Sequence, residues 1–375
     1  MIALQRSVAV ALAAYARSTF RTRKFGLEHL RLEPATILSP NHRSDSDVPV
    51  LVSALYPRWS QAVQRGLPWP TFAADDHAFM AGFLAGYPEG IPLRLRRLLW
   101  PISVGGVLEQ RLQCVPVREP ARMRLVELLR WDPERPLDGG LPPSLDAALR
   151  RRAGRLKRPE PQRAADVLDG AYADLLWSIV ERDGTPGEEV WREHLRAAVG
   201  DFRKLVATLR SGGVVVIFPE GELSREGQIG PLRPGLASLA RRGRARFVQP
   251  VAITYDPLPP GRPRAYVSVA PALEPSPRRL VGDLTEALRA ATPLTVGQVV
   301  ARFLLDPGRG GRLEHAAEEW VARAQAQRRP IEPALLAVGA REELHATLTE
   351  SRRLGSAHRI VKALSRELET CMLGS

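Results

Sequence analysis

Residues 35–47 restrict the fold more than any other stretch of the chain. Ala35-Thr36-Ile37-Leu38-Ser39 is a short, mostly apolar run of strand-like character, and Pro40 ends regular pairing. Asn41-His42-Arg43-Ser44-Asp45-Ser46-Asp47 follows. His42 and Asp47 stand five positions apart, well over one helical turn, so they cannot share a face of one straight helix. For the two to meet, His42 must lie in a loop and Asp47 near a helix start. Pro49, in the first turn of a helix over 48–56, supports that layout. Asp45, Ser46 or Asp47 can cap it. A histidine held by a carboxylate suits proton abstraction from a hydroxyl. Taken alone, the pair reads rather as a helix cap beside a surface histidine.

Far downstream, Ser211-Gly212-Gly213 and the run Val214-Val215-Val216-Ile217 lead into Phe218-Pro219-Glu220-Gly221. Asn-His-x4-Asp followed by Phe-Pro-Glu-Gly, each after an apolar strand-like run, resembles the glycerolipid acyltransferase superfamily. That superfamily includes the lysophosphatidate and glycerol-3-phosphate acyltransferases. Cys114-Val115-Pro116-Val117-Arg118 is similar to a third family element, a strand ending in arginine. Val248-Gln249-Pro250-Val251-Ala252-Ile253 is similar to a fourth, an apolar strand containing proline. The resemblance covers residues 25–118 and 200–270 in outline.

The resemblance implies that His42 takes the proton of an acceptor hydroxyl. Asp47 would fix the imidazole tautomer and stabilise the imidazolium. The oxygen would then attack an acyl thioester directly, without an acyl-enzyme. Ser44 is not expected to be a nucleophile, since no glycine-flanked elbow surrounds it. Asn41 is expected to shape the loop by hydrogen bonding. Glu220 and Gly221 are implied to help form the acceptor site. The implied reaction moves a fatty acyl chain from acyl carrier protein or coenzyme A to a glycerolipid precursor in phospholipid biosynthesis. Lysophosphatidate is the leading acceptor, glycerol-3-phosphate the second and another lyso-lipid, such as a lyso-ornithine lipid, the third. The thioester is a co-substrate, and no cofactor is implied.

The chain departs from the family after Gly221. Many members continue with Thr-Arg-Ser, the arginine helping to hold a phosphate, whereas this chain has Glu222-Leu223-Ser224. Arg225, Arg233 and Arg118 are the candidates to replace that arginine, each able to make a charge-assisted pair with phosphate. Each is also a plausible surface arginine. Asp75-Asp76-His77 is expected to be a turn or helix cap rather than a metal site, because adjacent side chains rarely converge on one ion.

Composition leaves two function classes. With 375 residues, 44% hydrophobic and 25% charged, the chain is long and apolar enough for a substantial core. A net charge of +13 favours acidic partners: anionic lipid, an acidic acyl carrier, coenzyme A or nucleic acid. Nucleic-acid binding predicts aromatics interleaved with basic residues. Aromatics make up 6% of the chain and none lies between Arg150 and Arg158, so nucleic acid is not expected as a partner. The competing class is a non-catalytic membrane-surface binding protein of the same fold. The two cysteines, Cys114 and Cys371, fit a reducing compartment. The expected place is cytoplasmic, peripheral on the inner face of the cell membrane. Oligomeric state is left open.

Strands alternating with helices argue for an α/β fold, a central mixed sheet flanked by helices, with a helical insertion and a helical C-terminal region. Residues 1–24 are expected to form an amphipathic helix whose basic residues meet phospholipid head groups. An ordinary packed helix and a signal peptide are the alternatives. The acyltransferase core is assigned to 25–118 and 197–275, the inserted helical subdomain or lid to 119–196, and the helical C-terminal region to 276–375. Within the insertion, helices are expected near 162–182 and 187–210.

Overall fold

The computed structural model describes residues 2–86, 95, 98–99, 101–129, 132–137, 141, 143–168, 171–172, 175–178, 188–224, 226–306, 312–355 and 358–373. Its strands, in chain order, are β1 Arg21–Phe25, β2 Thr36–Pro40, β3 Thr71–Asp75, β4 Cys114–Val117, β5 Arg122–Arg124, β6 Leu176–Ser178, β7 Val215–Ile217, β8 Phe247–Asp256 and β9 Arg264–Val269. The chain divides into two compact units, one formed by Thr71–Ala207 and the other by Ile2–Pro70 with Thr208–Ser375.

The larger unit is built on the strand order β1-β9-β8-β2-β7. Pairing is parallel except between β8 and β9, so the sheet is mixed. β2 lies between β7 and β8, with Ile37 opposite Val215 on one side and Val248 on the other. All five β2 residues are buried, as a strand covered on both faces requires. Helix Asp47–Gln64 follows β2 and buries Val50, Leu51, Ala54, Leu55 and Trp59. Beyond β9 come the helices Leu280–Ala291, Val296–Leu305, Leu313–Ala326, Pro333–Leu336, Ala340–Leu354 and Arg359–Leu373. The spacing of Leu280, Leu284 and Leu288 gives the first of these one wholly buried stripe.

The N-terminal helix, Ile2–Thr19, stops short of residue 24. Its buried stripe is Gln5, Ala9, Ala13 and Ala16, and the three small alanines let it lie against helix Asp47–Gln64. Arg21, Arg23 and Lys24, expected on a helix, stand exposed on the edge strand β1 instead. That strand is held by parallel backbone pairing to β9, which needs no apolar pattern in the strand itself.

The smaller unit holds β3 parallel to β4, β5 antiparallel to β6, and the helices Phe83–Gly86, Gly105–Leu112, Leu125–Leu129, Pro143–Leu156 and most of Glu188–Arg210. It has a core of its own, with Met123, Leu125, Leu129, Leu149, Tyr172 and Trp191 among its buried members. This unit spans Thr71–Ala207, a wider stretch than the insertion expected over 119–196. The helix expected across 162–182 is absent among the described residues there. Ala164–Val167 forms one 3-10 turn and Leu176–Ser178 pairs with β5. Backbone pairing claims residues whose apolar content had suggested a helix.

Candidate active site

Two motifs leave the ends of neighbouring parallel strands. β2 runs into Asn41 and His42, β7 runs into Phe218 and Glu220, and the carboxyl ends of parallel strands are where open α/β sheets place their ligands. Asn41 is fully buried and clamps its loop to β8: its amide donates to the Ile253 carbonyl at 3.0 Å and accepts from the Ile253 N–H at 2.6 Å.

The next residues wrap around one carboxylate. His42 Nδ1 lies 2.8 Å from Asp47 Oδ2. The same oxygen accepts the backbone N–H groups of Arg43 at 2.6 Å and Ser44 at 3.0 Å. Asp47 Oδ1 accepts from the Tyr255 hydroxyl at 2.8 Å. The Asp47 side chain is wholly buried while that of His42 is a quarter exposed. Four donors thus satisfy a buried carboxylate that would otherwise be costly. A carboxylate at Nδ1 fixes the tautomer with the proton on that nitrogen and leaves Nε2 as the basic site. The His42 ring packs against Phe218, centroids 4.5 Å apart. Ser44 belongs to the turn, its hydroxyl accepting from Ser46 N–H and its carbonyl from Asp47 N–H.

Glu220 is also buried, and both its oxygens are committed. Oε1 accepts from the His42 N–H at 2.7 Å and Oε2 from the Gly230 N–H at 2.6 Å. Burial raises its pKa against those two amides, which favour the charged form. The motif glutamate therefore ties the histidine loop to the segment after β7, and Ser224 N–H donates to the His42 carbonyl at 2.8 Å as a second tie. Gly221 has φ +70°, where glycine is favoured, and its open face is covered by the Arg233 side chain.

The arginines proposed for phosphate fare differently. Arg233 donates to the Glu220 carbonyl at 3.3 Å and to Glu222 Oε1 at 3.0 Å. Glu222, which stands in the family's threonine slot, thus has its counter-charge within the same loop. Arg118, in the smaller unit, pairs with Asp201. Arg225 lies outside the described residues. In the smaller unit, Asp75 accepts from His77 N–H at 2.8 Å and caps the short 3-10 turn Asp76–Phe79, while Arg124 pairs with Asp75 and Asp76.

Sequence reasoning did not single out Tyr255, and it quoted Phe218 and Arg43 only as motif residues without a role. Tyr255 sits on β8, 208 positions from Asp47, so no local pattern announces it. Arg43 carries the loop's N–H to Asp47 and sends its guanidinium elsewhere. A cavity of about 300 Å³ lies beside it, bounded by Arg43, Tyr255, Ile360, Leu364 and Glu367.

Residues 186–254 match the family model for acyltransferases. The match takes in β7, Phe218-Pro219-Glu220-Gly221 and nearly all of β8, and it bears out the acyltransferase resemblance over that segment. Among solved structures, the 1-acyl-sn-glycerophosphate (LPA) acyltransferase from Thermotoga maritima is 14% identical, with 76% of this chain and 78% of that chain covered and a TM-score of 0.37. A likeness at that level carries nothing about the reaction. No curated protein matches the chain. Among the described residues no helix is long and apolar enough to cross a membrane.

Proposed function

We propose that this acyltransferase moves a fatty acyl chain from an acyl carrier protein or coenzyme A thioester to the free hydroxyl of a lyso-glycerolipid, with lysophosphatidate as the first acceptor to test. The observation that carries the proposal is the His42–Asp47 pair, a partly exposed imidazole on a fully buried carboxylate. Nε2 of His42 takes the hydroxyl proton as the acceptor oxygen attacks the thioester carbonyl. The tetrahedral adduct collapses, the C–S bond breaks, and the imidazolium returns the proton to the leaving thiolate. Asp47 stabilises the imidazolium between those steps. Glu220 holds the His42 backbone in place, so its part is orientation of the base. We further propose that the chain works at the cytoplasmic face of a membrane.

A second acceptor class has an observation in its favour. Of the three candidate arginines, the two among the described residues, Arg118 and Arg233, both face carboxylates, which offset their charge toward a phosphate. A lyso-lipid without phosphate, such as a lyso-ornithine lipid, is the alternative. Thioester consumption against a panel of lysophosphatidate, glycerol-3-phosphate and phosphate-free lyso-lipids, with both donor types, tests the proposal. Transfer to lysophosphatidate supports the first reading and transfer only to phosphate-free acceptors the second. Binding of anionic vesicles without turnover on any acceptor would leave the non-catalytic class.

A further inference from the structure

Arg43 connects the base pair to a distant part of the chain. Its backbone N–H donates to Asp47 Oδ2 at 2.6 Å, so the placement of its main chain sets that of the carboxylate and its histidine. Its guanidinium points the other way. It donates to Glu367 Oε1 at 2.9 Å, to the Gln228 carbonyl at 2.7 Å and to Ser224 Oγ at 3.4 Å. The side chains of Arg43 and Glu367 are 6% and 5% exposed. Glu367 lies on helix Arg359–Leu373, beyond both motifs and beyond the matched segment.

Glu367 is itself held. Its Oε2 accepts from Gln298 Nε2 at 3.0 Å, and Thr254 Oγ1 lies 3.4 Å from its Oε1. Gln298 belongs to the capping box that opens helix Val296–Leu305. The loop carrying Ser224 and Gln228 is pressed onto the same C-terminal helix. At Gly227, φ is +84° and a Cβ would collide with the Ala363 carbonyl.

We infer that Glu367 is a positioning residue for acyl transfer, acting through Arg43 to fix the loop that presents His42 and Asp47. The inference rests on the acyl-transfer reading above. Stability alone is a poor reason for the pair, because a buried ion pair gains little over packed hydrocarbon of the same volume. What the pair supplies is direction. The guanidinium has three fixed acceptors, and the Arg43 backbone is drawn to one place above Asp47. A loop free to shift by an ångström would lose the alignment of base and hydroxyl.

The test compares Glu367→Gln, Glu367→Asp and the double variant Arg43→Met/Glu367→Leu in the full chain. Steady-state thioester consumption is measured, together with the nitrogen-15 signals of the His42 imidazole and the melting temperature. Glu367→Gln is expected to lower kcat by about 10- to 100-fold while donor and acceptor KM move by less than about threefold. Glu367→Asp should recover part of the loss. The double variant should melt near the wild-type temperature yet share the kcat loss. The His42 Nδ1 signal should shift in Glu367→Gln. A folded Glu367→Gln protein with wild-type kcat and an unmoved His42 signal overturns the inference. If Glu367→Gln fails to fold, wild-type kcat in the folded double variant overturns it instead. Should wild type transfer to no acceptor, the acyl-transfer reading fails, and the His42 signal alone decides whether Glu367 positions the loop.

Discussion

Asp47, at the start of the helix after β2, and Asp256, at the end of β8, are both fully buried, and they do different things. Asp47 starts the helix after β2 and is wrapped by two loop amides, a tyrosine hydroxyl and an imidazole that reaches solvent. Asp256 ends β8 and accepts from the backbone N–H groups of Leu258 and Gly297 at 3.2 and 2.7 Å. Burial and the nearby Glu332 push its carboxyl up to about 7. It ties the sheet to helix Val296–Leu305, and among the described residues no exposed titratable ring leans on it. Burial does not mark a working carboxylate; a partner that can exchange a proton with a substrate does.

That contrast can be broken at four points. The largest effect is expected from Asp47→Asn, which removes the counter-charge of the imidazolium and permits the wrong tautomer. Turnover should fall by about 10²- to 10⁴-fold with the melting temperature little changed, read by thioester consumption and calorimetry. Asp256→Asn should do the reverse, leaving turnover near wild type and altering the pH dependence of stability. A carboxyl raised when folded binds a proton that the unfolded chain has released. Its contribution is therefore full below about pH 4 and is lost as pH rises through about 7, on the order of a few kcal/mol. The wild-type melting temperature should fall more steeply between about pH 4 and 7 than that of Asp256→Asn.

Gly297→Ala sharpens the same point, because its Cβ would collide with the Asp256 carboxylate. A loss of about 1–3 kcal/mol in denaturant unfolding is expected, without a specific effect on KM. The smallest effect belongs to Tyr255→Phe. One of four hydrogen bonds to Asp47 is lost, and kcat should drop by about tenfold, the equivalent of about 1.4 kcal/mol from a bond to a charged group. An unchanged kcat would mean that Tyr255 only fills space.

The parts legible in the sequence are those with local patterns. β2, β8 and β9 declared themselves by apolar runs, the C-terminal helices by leucine spacing, and the His42 loop by a proline on either side. β1 was hidden because Arg21-Thr22-Arg23-Lys24-Phe25 carries almost no apolar signal; the backbone of β9 supplies its reason to exist. Tyr255 and Glu367 were hidden for another reason. Their partners lie 208 and 324 positions away, and a lone tyrosine or glutamate in a strand or helix has no spacing to betray it. Glu220 was legible as a motif residue, but its bonds to His42 and Gly230 become visible only once two strand ends are side by side.

His42 is where these threads meet, and replacing it is the most direct measurement. Purified wild-type protein and His42→Ala, matched for melting temperature, should be compared for acyl transfer from a thioester donor to lysophosphatidate and to phosphate-free lyso-lipids. Transfer to at least one acceptor by wild type, with a loss of about 10³-fold or more in the variant, is the expected result. Near-normal transfer by well-folded His42→Ala would contradict the role given to the His42–Asp47 pair.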